Sequence, residues 1–143
     1  MEQLLMNSTS SQTFRKKRCV GYARVSTQEQ AEEGYSIDAQ IQTIQEYCQR
    51  ENMECVGVYV DRGKSGKNIK GRPEMQQLLH DAENGDFDAV VVWKISRVAR
   101  NLMNLLEIVN VLQKQDIAFY SISEKFQVDT TTGRFMLQIM ASV

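Results

Sequence analysis

Apolar residues recur along this chain with two periods, and the period changes from one stretch to the next. Cys19-Val20-Gly21-Tyr22-Ala23 reads as a short buried strand that runs into Arg24, Val25 and Ser26. Val56, Val58 and Val60 alternate as in a second strand. The unbroken run Ala89-Val90-Val91-Val92-Trp93 suits a strand covered on both faces of a parallel sheet. Ile117 to Ser121 makes a fourth. Between these stretches the spacing is helical: Ile37, Ile41, Ile44 and Cys48; then Met75, Leu78, Leu79 and Ala82; then Leu102, Leu105, Leu106, Val109 and Leu112. Ser36 is a good N-cap for the first helix, Pro73 opens the second where its missing N–H costs nothing, and Asn84-Gly85 ends it. Strands alternating with helices signal an α/β fold: a flavodoxin-like, mainly parallel sheet of four to five strands with helices on both faces.

The two ends depart from this pattern. Residues 1–17 read as a disordered basic leader, polar from Asn7 to Thr13, with Arg15-Lys16-Lys17-Arg18 as a solvated cluster rather than a nucleic-acid arm. From Thr132 onward, Phe135, Met136, Leu137, Ile139, Met140 and Val143 are apolar on nearly every side of a starting helix. Such a helix wants a partner, so residues 18–143 are expected to form one domain ending at the start of a long interface helix.

Composition adds three constraints. With 143 residues and 42% hydrophobic content, the chain can bury one core but not two. The formal charge of -1 hides a basic stretch containing Arg62, Lys64, Lys67, Lys70, Arg72, Lys94, Arg97 and Arg100, so net charge neither suggests nor excludes a polyanionic partner. Cys19, Cys48 and Cys55 form no CxxC pair, and with His80 as the sole histidine they assemble no zinc site of the usual type; they read as small buried hydrophobes. No signal-peptide core or membrane-length segment is present, which points to the cytoplasm.

The candidate chemistry gathers at the carboxyl ends of the strands, where open parallel sheets bind ligands. Side chains alternate along a strand, so Arg24 and Ser26 lean toward one face. The second strand runs into Asp61 and a loop, Arg62 to Arg72, with three glycines and five basic residues, which is expected to be poorly ordered without a ligand. The third delivers Lys94-Ile95-Ser96-Arg97-Val98-Ala99-Arg100; if that segment is helical, Arg97 and Arg100 share a face. A serine with up to four arginines suits phosphate chemistry, because the guanidinium fork donates paired hydrogen bonds and stays charged. Other schemes fit badly. His80 sits in the polar part of a helix and no GxSxG elbow is present. The glycine loop has neither Walker A nor GxGxxG spacing. Asp61 has no paired carboxylates to complete a magnesium site. Tyr22 and Trp93 could stack on bases, but strand positions favour the core.

Tyr22-Ala23-Arg24-Val25-Ser26-Thr27, Gln30, Ser36-Ile37-Asp38-Ala39-Gln40, Asp61-Arg62-Gly63-Lys64-Ser65-Gly66, Gly71-Arg72-Pro73 and Lys94 through Arg100 together resemble the catalytic domain of serine recombinases, the resolvase/invertase family. The resemblance covers residues 18 to 143. The insertion Ala31-Glu32-Glu33-Gly34-Tyr35 looks like the large members, phage integrases and mobile-element recombinases, more than the small resolvases.

What the resemblance implies is a nucleophilic Ser26 that attacks a DNA phosphodiester and forms a 5′-phosphoserine linkage without metal, ATP or other cofactor. Arg24, Arg72, Arg97 and Arg100 match the family's phosphate-binding arginines. Gln30 and Gln40 match its polar active-site residues, with Tyr22, Asp61, Lys64 and Ser96 as supporting positions. It further implies double-stranded DNA sites of the att or res kind, a homodimer, a synaptic homotetramer, and a DNA-binding region beyond Val143. Ser96 departs from the aspartate many small members carry there, which leaves the proton donor to the leaving oxygen unassigned. Two rival readings remain at this point: a serine-dependent phosphoesterase or nuclease, and a non-catalytic phosphate-binding module.

Overall fold

The computed structural model describes residues 16–26, 36–63 and 71–128. In chain order these form β1 (Arg18–Val25), α1 (Ile37–Arg50), β2 (Glu54–Arg62), α2 (Pro73–Glu83), β3 (Ala89–Val92), a 3-10 turn (Ile95–Arg97), α3 (Leu102–Lys114), β4 (Ala118–Ser121) and β5 (Phe126–Val128). The sheet order is β2-β1-β3-β4-β5, parallel except for β5, which returns antiparallel on β4. The predicted α/β class and mainly parallel sheet are therefore present. The fifth strand follows a tight turn with Lys125 at φ 54° and pairs Phe119 with Val128. Residues 1–15 of the leader and the apolar segment from Thr132 lie outside the described residues, whereas Lys17 is described and its carbonyl accepts from Glu54 N at 2.8 Å.

Helices cover both faces. On one, α2 and α3 pack Met75, Leu78, Ala82, Leu105, Ile108, Val109 and Leu112 against Val20, Tyr22, Val90, Val92 and Phe119. On the other, α1 packs Ile37, Ile44 and Cys48 against Cys19, Ala23, Val25, Ala89 and Val91. The caps follow the sequence: the Ser36 hydroxyl accepts from Ala39 N at 3.1 Å, and Asn101 Oδ1 accepts from Asn104 N at 2.9 Å. Gly21 is required by close approach, since a Cβ there would meet Ile44 Cγ2 at 2.9 Å. A glycine in β1 thus lets α1 sit close to the sheet.

The alternation in β2 is broken where the sequence pattern expected it to continue. Cys19 pairs with Cys55 but Val20 pairs with Gly57, so Val56 is the extra residue of a β-bulge. It is 48% exposed, while Val58 and Val60 pack on α1 as the alternation predicts. The bulge also leaves Cys55 on the α1 side, beside Cys19 and Cys48.

Candidate functional site

β3 stops at Val92, opposite Tyr22, whereas β1 continues to Val25 and β2 to Arg62. Arg24 therefore has no strand neighbour on the β3 side, and its main chain takes side-chain partners instead. Gln40 of α1 fills both places: its Oε1 accepts from Arg24 N at 3.3 Å and its Nε2 donates to Arg24 O at 3.0 Å. A glutamine is suited to this because one amide carries both an acceptor and a donor. Gln40 is accordingly buried, on the apolar face of its helix.

The chain leaving β3 folds across the same gap, and two arginines hold it by exchanging bonds. Arg24 Nε donates to Arg97 O at 3.2 Å and its Nη2 to Ser96 O at 2.8 Å. In return, Arg97 Nη1 donates to Arg24 O at 3.2 Å. Arg72, fully buried, donates from Nη1 to Val98 O. Two guanidinium groups, of Arg24 at the end of β1 and Arg72 at the start of α2, thus converge on the short turn 96–98, while the third, Arg97 within that turn, reaches back to Arg24 O. Charges this deep are expensive to bury, and the carbonyl bonds of the turn help offset the cost while fixing each side chain in place.

A second network supports the first from below. Tyr22 points its ring into the core, with the Arg72 guanidinium carbon 5.9 Å from the ring centroid. Its hydroxyl donates to Asp61 Oδ2 at 2.7 Å. Burial pushes that hydroxyl well above the ordinary tyrosine value, against an opposing pull from Arg72. Asp61 also accepts from Glu74 N at 3.0 Å and Met75 N at 3.2 Å. Helix α2 has no capping bond from Arg72, the residue before Pro73, so its cap comes from Asp61 across the loop. One carboxylate at the end of β2 therefore fixes the start of α2, and with it the position of Arg72.

Of the residues singled out by sequence, Arg24, Arg72, Arg97, Gln40, Tyr22 and Asp61 are all buried and joined by these bonds. Ser26, half-buried, is the first residue past β1, two positions beyond Arg24. Ser96 is exposed and meets Arg24 through its carbonyl, not its hydroxyl. Gln30 and Lys64 lie outside the described residues, as does most of the basic glycine loop. One expectation is overturned. The segment from Lys94 is a single 3-10 turn that ends at Arg97, so Arg97 is buried, Arg100 is exposed, and the two share no helical face. The reason is the apolar pair between them: Val98 and Ala99 are 1% and 4% exposed and pull that stretch into the core. Tyr22 and Asp61 also lie within the core. The sequence reading missed Val98, whose carbonyl seats Arg72; its only sequence signal is an apolar pair between two arginines.

Comparison with known proteins gives a consistent result. The sequence family described as "Resolvase, N terminal domain" matches residues 19–143. The chain is 30% identical over 124 residues to the DNA-invertase Hin of Salmonella typhimurium, covering 87% of this chain and 57% of that protein. It is 28% identical over 123 residues to the Tn917 resolvase of Enterococcus faecalis, covering 86% and 59%. Among solved structures, the N-terminal catalytic domain of TP901-1 integrase superposes with a TM-score of 0.81 at 38% identity, covering 88% of this chain and 93% of that one. A resolvase family site-specific recombinase from Streptococcus pneumoniae gives 0.74 at 30%, covering 89% and 87%. The chain spans under two thirds of the invertase and of the resolvase, while it spans nearly all of the integrase catalytic domain. A five-stranded sheet with arginines gathered at its strand ends, matched along 19–143, places the chain in the resolvase family, as its N-terminal domain.

Proposed function

We propose that this domain is the catalytic part of a serine site-specific DNA recombinase that breaks and rejoins DNA through Ser26. The observation that carries the reading is the locked triangle of Arg24, Arg97 and Arg72 around residues 96–98, with Ser26 leaving the strand two positions past Arg24. In the proposed step Ser26 Oγ attacks the phosphorus of a DNA phosphodiester. An Oγ–P bond forms as the hydroxyl proton leaves Oγ, the bond from phosphorus to the 3′ oxygen breaks as that oxygen takes up a proton, and the products are a 5′-phosphoserine and a 3′-hydroxyl. The phosphoester energy is kept in the serine linkage, so the reverse attack by a 3′-hydroxyl reseals the strand without ATP. Guanidinium groups already fixed in place stabilise the additional charge of the pentacovalent phosphoryl group, a task metal ions perform in other phosphoryl transfers.

Arg100, exposed beside this turn, is suited to meeting a phosphate from the solvent side. Ser96 holds no carboxylate for proton transfer, so the proton for the leaving oxygen comes from another donor. The higher identity to the integrase domain than to the invertase or the resolvase favours the large-recombinase branch. Synapsis of two DNA sites by a tetramer, and target choice by further domains, belong to the full-length protein.

The test is Ser26→Ala in the full-length protein, assayed on a supercoiled plasmid carrying the cognate sites. The expected result is loss of strand cleavage and of covalent protein–DNA adduct, with DNA binding and folding retained. Recombination at the native rate by that variant would overturn the mechanism. Release of free 5′-phosphate ends by the native protein would instead favour a hydrolytic nuclease.

A further inference from the structure

At the opposite end of β1 from Arg24, three elements bring their sulfur atoms together. Cys19 of β1, Cys48 of the last turns of α1 and Cys55 of β2 place all three Sγ atoms within 4.8 Å of one another. All are free thiols; Cys19 and Cys48 are 0% and 1% exposed, and their Sγ atoms lie 2.9 Å apart. Cys55 is half-buried, on the edge strand, and gives the cluster its access to solvent.

The bulge at Val56 is what completes the trio. Strict alternation back from Val58 and Val60, which face α1, would put Cys55 on the opposite side of the sheet. The extra residue flips the phase, so Cys55 pairs with Cys19 and faces Cys48. Bulges re-aim side chains in this way. Around the sulfurs lie Ile44, Met53, Ala89 and Val91, and among the described residues no histidine or carboxylate joins the group.

A site of three sulfurs in an apolar wall selects its ligand narrowly. Magnesium and calcium require oxygen donors. Structural zinc is almost always four-coordinate, and among the described residues no histidine or carboxylate stands as a fourth ligand. Soft thiolates suit monovalent copper, zinc and iron–sulfur clusters alike; the last two take four protein ligands, whereas three sulfurs satisfy monovalent copper.

We propose that Cys19, Cys48 and Cys55 form a binding site for one soft cation of low coordination number, of the monovalent copper class. Sulfur–metal bonds replace the Sγ–Sγ hydrogen bond, the thiols that become thiolates release their protons to solvent, and no electron is transferred. The ion ties α1 to β1 and β2, the elements that carry Gln40, Arg24 and Asp61.

The test is an anaerobic titration of the 143-residue chain with Cu(I) in competition with a chromophoric chelator. One ion per chain is expected, with a thiolate-to-copper ultraviolet band and protection of all three thiols from a thiol reagent. Cys55→Ser, at the half-exposed edge, should keep the native circular dichroism and bind about 100-fold more weakly, at the top of the range seen when only an outer-shell partner is lost. Cys48→Ser should behave alike. Uptake by Cys55→Ser equal to that of the native chain would overturn the site. So would zinc binding as tight as copper, or a Cys19–Cys48 disulfide forming in place of the complex.

Discussion

Replacing Asp61 by alanine should cost this domain about 3 kcal/mol, although the residue sits at the end of a strand where a catalytic carboxylate would also sit. Its side chain is 2% exposed and accepts three hydrogen bonds, from Tyr22 Oη, Glu74 N and Met75 N. Loss of an N-cap costs about 1 kcal/mol, and α2 has no substitute from Arg72. Leaving the buried Tyr22 hydroxyl without its acceptor adds about 1–3 kcal/mol. With a urea slope of about 2 kcal/mol/M, the midpoint should fall by roughly 1.5 M at unchanged slope. Asp61→Asn keeps one oxygen acceptor and should lose about half as much, since both the cap and the favourable charge at the helix start are weakened. The coupling is measurable as well: Tyr22→Phe removes the donor, so Asp61→Ala should cost less in that background, by about 1 kcal/mol. A loss below about 1 kcal/mol for Asp61→Ala, or strict additivity with Tyr22→Phe, would refute the view that this carboxylate organises the core rather than reacting.

Two further outcomes follow from the packing and the titration of buried groups. Gly21→Ala should destabilise by about 1–3 kcal/mol through overpacking against Ile44. Ile44→Ala should remove most of that penalty in urea titrations of the double variant, and a neutral Gly21→Ala in the native background would count against the close approach. Tyr22 is held protonated in the fold above its ordinary value of about 10. Its folded pKa is raised, so the stability from its neutral form is complete below about pH 10 and is lost as pH rises from there toward the folded value. The difference in stability between the native chain and Tyr22→Phe should therefore shrink above that pH, and a difference that stays constant to pH 11 would contradict it.

Local chemistry explains why much of the architecture was legible. The two periods, Ser36 as a cap, Pro73 at a helix start and the unbroken run at 89–92 are properties of neighbouring residues. They fixed the number and order of elements before β5, and because parallel strands all point one way, segments that follow them gather at one end of the sheet, where such sheets bind ligands. The short β5 escaped detection because three residues, Phe126 to Val128, carry too little pattern. The order of elements also told where the candidate residues would stand: Arg24 near the end of β1, Ser26 just past it, Arg72 before α2 and Arg97 in the turn after β3.

Only the tertiary structure decided how those residues act. That β3 is shorter than β1, so that Gln40 and Arg97 complete the main chain of Arg24, depends on residues 16 and 73 positions away. That Asp61 caps a helix from across a loop, and that Val98 and Ala99 end the turn and separate Arg97 from Arg100, depend on burial. The same holds for the three sulfurs, which a single extra residue at Val56 turns toward one another. Periodicity reports which face of an element is apolar, whereas a hydrogen bond or a bulge is settled by what lies opposite, and that is known only once the sheet is assembled.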